Sequence, residues 1–229
     1  MKMKKYLVNC MAVMLLMSTI TACNGNENEP AGVTKHNGHE YVDLGLSVKW
    51  ATCNIGAAYP EIAGSYFAWG ELEEKTDYSW VTYKWCNGTY NSITKYCVDA
   101  SNGIVDNKTV LELEDDVAHA KWGGKWRMPT ATEMQELIDT NKCTWIWEMW
   151  NGMPGFKVVS KLNGNSIFLP AAGAAGVVQG TDMPEIGDGV YSTSTLASEF
   201  YILMFSENLT LFTEYADRKC GYTIRPVLP

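Results

Sequence analysis

Histidine is scarce in this chain, with only His36, His39 and His119 among 229 residues. Two of the three adjoin a polar N-terminal stretch and the third sits in an acidic segment, so no metal-ligand spacing arises. Cys-x-x-Cys, Gly-x-Ser-x-Gly and any Cys–His pairing are also missing, which removes the usual patterns of a zinc centre and of a nucleophilic hydrolase. Basic residues are few, 18 against 26 acidic, for a net charge of −8. Binding a phosphate backbone needs clustered Lys and Arg, so nucleic acid is excluded as a partner. After the first 22 residues no apolar run approaches the roughly 20 residues that a membrane-spanning helix requires.

What is present begins at the N-terminus. Lys2, Lys4 and Lys5 precede an apolar core from Tyr6 to Met17, and Ile20-Thr21-Ala22-Cys23 fits a lipobox. This three-part layout predicts a lipoprotein signal over residues 1–22 and lipidation of Cys23. A diacylglyceryl group with an N-acyl chain would anchor the protein stably, where one chain alone holds only marginally. Residues 24–35 are polar, contain Gly and Pro, and are expected to form a flexible tether that completes the segment 23–35. Glu27 and Glu29 resemble the surface-export signal of lipoproteins in some Gram-negative anaerobes, although a merely soluble tether would look the same. The expectation is an outer-membrane lipoprotein displayed at the cell surface, with the periplasmic face as the alternative.

Removing the signal leaves about 207 residues, enough for one domain over residues 36–229. It also removes three lysines and no acid, so the excess of eight acids becomes eleven. Five thiols remain, Cys53, Cys86, Cys97, Cys143 and Cys220, an odd number that leaves at least one unpaired in the chain. Cys86 and Cys97 are the first choice for a disulfide, because they are close in sequence.

Short alternating runs predict strands at Tyr41–Leu44, Val48–Ile55, Gly64–Gly70, Ser166–Gly173, Val190–Thr195, Phe200–Ser206 and Tyr222–Val227. A hairpin is expected from Cys143-to-Trp147 into Phe156-to-Val159 around a turn at residues 151–155. Residues 71–109 form a long, aromatic-studded excursion. One helix is expected from Leu111 to Trp122. A second starts at Thr130, whose Thr130-Ala131-Thr132-Glu133 is a capping box. Together these elements predict an α+β domain of mostly short antiparallel strands, about two helices and long loops.

Four segments in order, residues 41–51, 66–71, 122–130 and 167–173, resemble the Fibrobacter major paralogous domain family, and Arg225-Pro226-Val227 is similar to its closing strand. The resemblance implies a C-type-lectin-like fold, related to formylglycine-generating enzymes and to diversified receptor-binding proteins. It implies a fold better than a function. Oxidase chemistry in this fold uses a close pair of late cysteines, and here Cys220 stands alone. In diversified relatives the C-terminal segment is the ligand face.

Candidate binding residues follow from that. Tyr191, Ser192, Thr193, Ser194, Thr195, Asn208, Tyr215, Arg218 and Tyr222 place Tyr, Ser, Thr and Asn in the C-terminal strands and loops, the composition of adaptable binding surfaces; they would equally suit ordinary strand positions. Trp80, Trp85 and Tyr90 form a second candidate patch. Arg127 is expected to pair Asp115 or Asp116, and Arg225 likewise to need a carboxylate. The acidic run from Glu112 to Asp116 offers calcium-type oxygen ligands. A helix N-terminus accounts for it more simply, and no cofactor or metal is expected. The function expected is a non-catalytic binding module for a glycan or protein, with a structural subunit of an envelope or fimbria-like complex as the alternative.

Overall fold

The computed structural model describes residues 33–176, 187–196 and 200–229, with side chains for all of these except residues 33 and 209–215. Cys23, the signal and most of the expected tether lie outside the described residues. Asn37 and Gly38 both take positive φ, 48° and 85°, the type I′ geometry whose twist matches that of a hairpin. They join β1 (Val33–His36) to β2 (His39–Val42), which pairs in turn with β3 (Lys49–Ala51). The last three residues of the expected tether are therefore strand.

The helix expected from Leu111 to Trp122 is divided. A 3₁₀ turn at Leu113–Asp115 is followed by α1 (Val117–Trp122), because Asp116 adopts an extended conformation and caps α1 by accepting from the His119 N–H at 3.1 Å. α2 (Ala131–Ile138) starts where the capping box places it. Thr130 Oγ1 accepts from the Glu133 N–H at 3.3 Å, and the Glu133 carboxylate accepts from the Thr130 N–H at 2.8 Å. Met134 and Leu137 bury the apolar stripe of this helix.

A second Asn-Gly pair, Asn151 and Gly152, turns β4 (Cys143–Trp150) into β5 (Met153–Ser160). The turn is shorter than expected, since Met153, Pro154 and Gly155 pair with Trp150, Met149 and Glu148. Gly155 permits close strand approach: a Cβ there would lie 2.3 Å from the Leu169 carbonyl. β6 (Ser166–Pro170) adds to β5 and ends this three-stranded sheet. The third sheet is β7 (Gly189–Leu196), β8 (Phe200–Ser206) and β9 (Leu209–Ala216), with β9 unforeseen in the sequence. Finally β10 (Val227–Leu228) pairs with β3 and brings the C-terminus back to the first sheet.

Of the expected strands, Gly64–Gly70 contracts to an isolated bridge, Phe67 with Tyr222, and Tyr222–Val227 keeps bridges at Tyr222 and Thr223 and enters a strand only at Val227. The class is α+β, built on small antiparallel sheets with two α-helices among the described residues. Trp50, Trp69 and Trp126 are fully buried, so much of the aromatic surface among the described residues goes into the core.

Both core arginines find partners other than the ones expected. Arg127 forms a two-pronged pair with Glu133, at 2.5 and 2.8 Å, while Asp116 instead accepts from backbone N–H groups of His119 and Met128. Arg225 is completely buried, and its recorded partners are the Asn54 Oδ1 (2.8 Å) and the carbonyls of Ala51 (3.1 Å) and Thr52 (2.8 Å) rather than a carboxylate. Burial pulls its pKa down.

Candidate functional site

The long excursion, though nearly free of regular structure, is pinned at several points. Asp106 accepts from the N–H groups of Tyr96, Cys97 and Lys108 at 2.9, 2.9 and 3.2 Å. Burial disfavours its charge, but these donors outweigh burial and hold the pKa below the usual carboxylate value. They also support Tyr96 at φ 61°, uncommon for a residue with a side chain. Lys95 Nζ lies 2.6 Å from both Glu112 and Asp115, 3.3 Å from Glu114 and 4.8 Å from the Trp85 ring centre. Burial would lower its pKa, yet these hydrogen bonds raise it above the ordinary lysine value.

Lys95 thus occupies the one place among the described residues where three carboxylates converge. An ammonium ion already sits where a calcium ion would have to go, and Lys84 and Lys108 add further positive charge at 3.2 Å from Asp115 and 2.7 Å from Glu112. The acidic run ties the excursion to the 3₁₀ turn ahead of α1.

A cavity of about 230 Å³ opens where this excursion meets the turn after β9. Trp80, Tyr90, Ile93 and Asn102 come from the excursion, and Asp217 and Arg218 from the turn. Ile93 is fixed by two backbone bonds: its N–H donates to the Asn102 carbonyl and its carbonyl accepts from Ile104, both at 2.8 Å. Gly103 makes that approach feasible, because a Cβ would fall 2.1 Å from the Ile93 carbonyl. Arg218 is buried; it donates to the Tyr96 carbonyl at 2.7 Å and lies 5.6 Å from the Trp69 ring centre. Trp80 stands edge-on to Tyr83 at 5.7 Å, and Tyr90 is 65% exposed. Asp217 is held by Lys219 at 2.9 Å.

The expected C-terminal binding face requires correction. Tyr191, Ser192, Thr193, Ser194 and Tyr222 are buried, and Thr195 is half-buried. The hydroxyls serve the interior: Tyr191 donates to the Pro170 carbonyl at 2.9 Å, Thr193 to the Tyr201 carbonyl at 2.8 Å, and Thr195 accepts from the Ala131 N–H at 3.0 Å. The free edge of β7 is sealed by coil, since Ser194 N–H donates to Pro129 and Leu196 N–H to Thr109. A run of buried positions interrupted only at half-buried Thr195 is the mark of a strand covered on both faces, and Val190–Leu196 lacks the polar alternation of a half-exposed strand. Asn208 is exposed at the β8–β9 turn. The Tyr215 side chain lies outside the described ones.

The second patch divides. Trp80 and Tyr90 line the cavity, whereas Trp85 is structural, donating from Nε1 to the Gly70 carbonyl at 2.9 Å. Among the described side chains of the first group, Arg218 is the one that reaches the cavity. Sequence reasoning missed Asn102 and Asp217, whose signals were only those of a turn. Cys86 and Cys97 are not joined; all five described cysteines are free thiols. Cys86 Sγ lies 2.9 Å from the Trp80 carbonyl and Cys97 Sγ lies 3.1 Å from the Asp99 carbonyl, so each thiol is turned to its own loop. Burial raises the pKa of Cys143 to about 11 and also lifts that of Cys220, the opposite of what a reactive thiol needs.

No family model, no curated protein and no solved structure matches this chain. Among the described residues no helix is long and apolar enough to cross a membrane.

Proposed function

We propose that this protein is a non-catalytic module of the cell envelope, anchored in the outer membrane through Cys23 and displayed at the surface, that binds a glycan in the pocket between the long excursion and the Asp217–Arg218 turn. The observation that carries this reading is the juxtaposition of Trp80 and the exposed Tyr90 with Asn102 and Asp217 around one small cavity. A sugar ring presents a C–H face that packs on aromatic carbon and hydroxyls that need short polar partners, and this pocket offers both kinds of group. Its volume suits one ring of a longer chain rather than a drug-sized ligand. The motifs at residues 41–51, 66–71, 122–130 and 167–173 support membership of the Fibrobacter major paralogous domain family and a C-type-lectin-like fold.

The test is a glycan panel probed with the full chain alongside Trp80→Ala and Tyr90→Ala. Capture of a glycan class that both substitutions weaken at least tenfold supports the reading; capture indifferent to both, or none at all, sinks it. Display is tested by protease treatment of intact cells carrying an epitope after Pro229. Survival of the epitope on whole cells with digestion after lysis would place the domain in the periplasm. A structural or assembly subunit remains the second reading, favoured by Ile146 and Met149, which stand exposed on β4. Co-purification in a fixed stoichiometry would support it.

A further inference from the structure

Two adjoining cavities share no residue with the pocket above. The larger, about 480 Å³, is floored by Val42, Ile167 and Phe168, with Trp150 at its mouth and Glu40 and Asn165 on its rim. The smaller, about 400 Å³, shares Glu40, Thr52 and Pro60 with it and reaches Tyr59. Both lie within the size range of small-molecule sites, and the larger has the usual character of one, an apolar floor with a few polar groups. Its walls are held in place. The side-chain amides of Asn163 and Asn165 donate to the Asp43 carbonyl at 2.9 and 2.8 Å, tying the approach to β6 against the end of β2. Asn151 donates to Glu61 at 2.8 Å, tying the loop of Tyr59 and Pro60 to the turn beside Trp150.

The charge on this surface has one sign. Among the described residues Glu40 is the only charged side chain that lines either cavity. Lys35 lies 3.1 Å from Glu40, but the Lys35 side chain is largely in solvent and that of Glu40 partly so, where such a pair is weak and readily exchanged. Arg225 reaches the wall only from the core side, through the Thr52 carbonyl. His39, beside Glu40 in the smaller cavity, is stacked on Trp122 at 3.8 Å, and burial lowers its pKa, disfavouring its charged form. At the mouth Trp150 is 38% exposed and offers ring surface, to which a cation is attracted.

We infer that the larger cavity, with its carboxylate rim and tryptophan mouth, is a second binding site for an organic ammonium ion with an aromatic or branched apolar body. The body fills the space over Val42, Ile167 and Phe168, and the ammonium group lies between Glu40 and Trp150.

The test is calorimetric titration of the full chain with phenethylamine, and with 2-phenylethanol and 3-phenylpropanoate as neutral and anionic counterparts. The amine is expected to bind about tenfold more tightly than the alcohol, and the carboxylate more weakly still. Glu40→Gln should remove the preference of amine over alcohol while leaving the alcohol unaffected. Trp150→Ala should weaken all three; unchanged thermal melting of both variants will show that each is folded. Equal affinity for the three probes, or tighter binding of the carboxylate through Arg225, would overturn the inference. So would amine binding that neither substitution alters. Trp80→Ala should not affect these titrations, so failure here and failure of the glycan reading are separate results.

Discussion

Substituting Glu133 by Ala removes two devices at once, and their separate magnitudes make the outcome calculable. The first is the capping box, worth about 1 kcal/mol. The second is the two-pronged bond with Arg127, whose side chains are 24% and 12% exposed, placing it between a surface pair and a buried one. Losing hydrogen bonds to a charged group in that setting costs about 1.5–3 kcal/mol before any relief by water. The combined loss should be about 2–3 kcal/mol, or roughly 4–12 °C in melting temperature for a domain of this size. Thr130→Ala, which loses the hydroxyl cap alone, should cost only about 1 kcal/mol.

Urea unfolding of the two single variants Arg127→Met and Glu133→Ala and of the double variant measures the coupling directly, expected at about 1–2 kcal/mol. The coupling also has a predicted pH dependence. Burial raises the Glu133 pKa, but Arg127 and the Thr130 N–H outweigh it, so the folded value lies below the ordinary one. Stability from a depressed carboxylate is present above the unfolded pKa, near 4.3, and is lost as pH falls through the folded value. The coupling should therefore be constant from pH 6 to 8 and vanish under strong acid. A coupling below about 0.3 kcal/mol at pH 7 would refute the assignment of Glu133 as the partner of Arg127.

Three further outcomes are expected. Ser192 Oγ is buried without a hydrogen-bond partner; since such a group costs about 1–3 kcal/mol, Ser192→Ala should be as stable as the parent or more so in urea unfolding, and a clear loss would mean that the hydroxyl is satisfied after all. Lys95→Met strips the ammonium from Glu112 and Asp115 and should cost about 3 kcal/mol; added calcium should raise the melting temperature of this variant and leave the parent unchanged, whereas a calcium response in the parent would restore the metal reading. Chain cleaved at Cys23, denatured without reductant, should bind five equivalents of a thiol reagent; three would reveal a disulfide.

The fold was legible where local chemistry decides it and obscure where tertiary contact decides it. The turn that opens at Asn151 and the α2 capping box depend on backbone conformations that those residues adopt for local reasons, and each starts where it was predicted. The division of Leu111–Trp122 was hidden because Asp116 caps α1 from within a run that reads as one acidic helix start. Strand β9 went unseen. Gly64–Gly70 looked like a strand, yet its backbone meets the chain only at separate points, the Ser65–Ile55 bond, one bridge at Phe67 and the Trp69–Arg218 bond.

The site was harder to read than the fold for a related reason. Composition treats Ser, Thr and Tyr as surface residues, but in β7 the hydroxyls of Tyr191, Thr193, Ser194 and Thr195 bond backbone groups of neighbouring strands, coil and the start of α2. The same residues would look identical on an exposed paratope; only burial separates the two cases. Arg225 misleads in the opposite direction. A buried guanidinium suggested a carboxylate, and the chain instead supplies two carbonyls and the Asn54 amide from the segment after β3, contacts that span more than 170 residues. A partner made of backbone oxygen leaves no residue type to search for. The cavity proposed to bind a glycan has the same character. Trp80 and Tyr90 stand out in the sequence, but Asn102 and Asp217 become partners only because Gly103 lets one loop close on Ile93 and Arg218 fastens the excursion to the C-terminal turn.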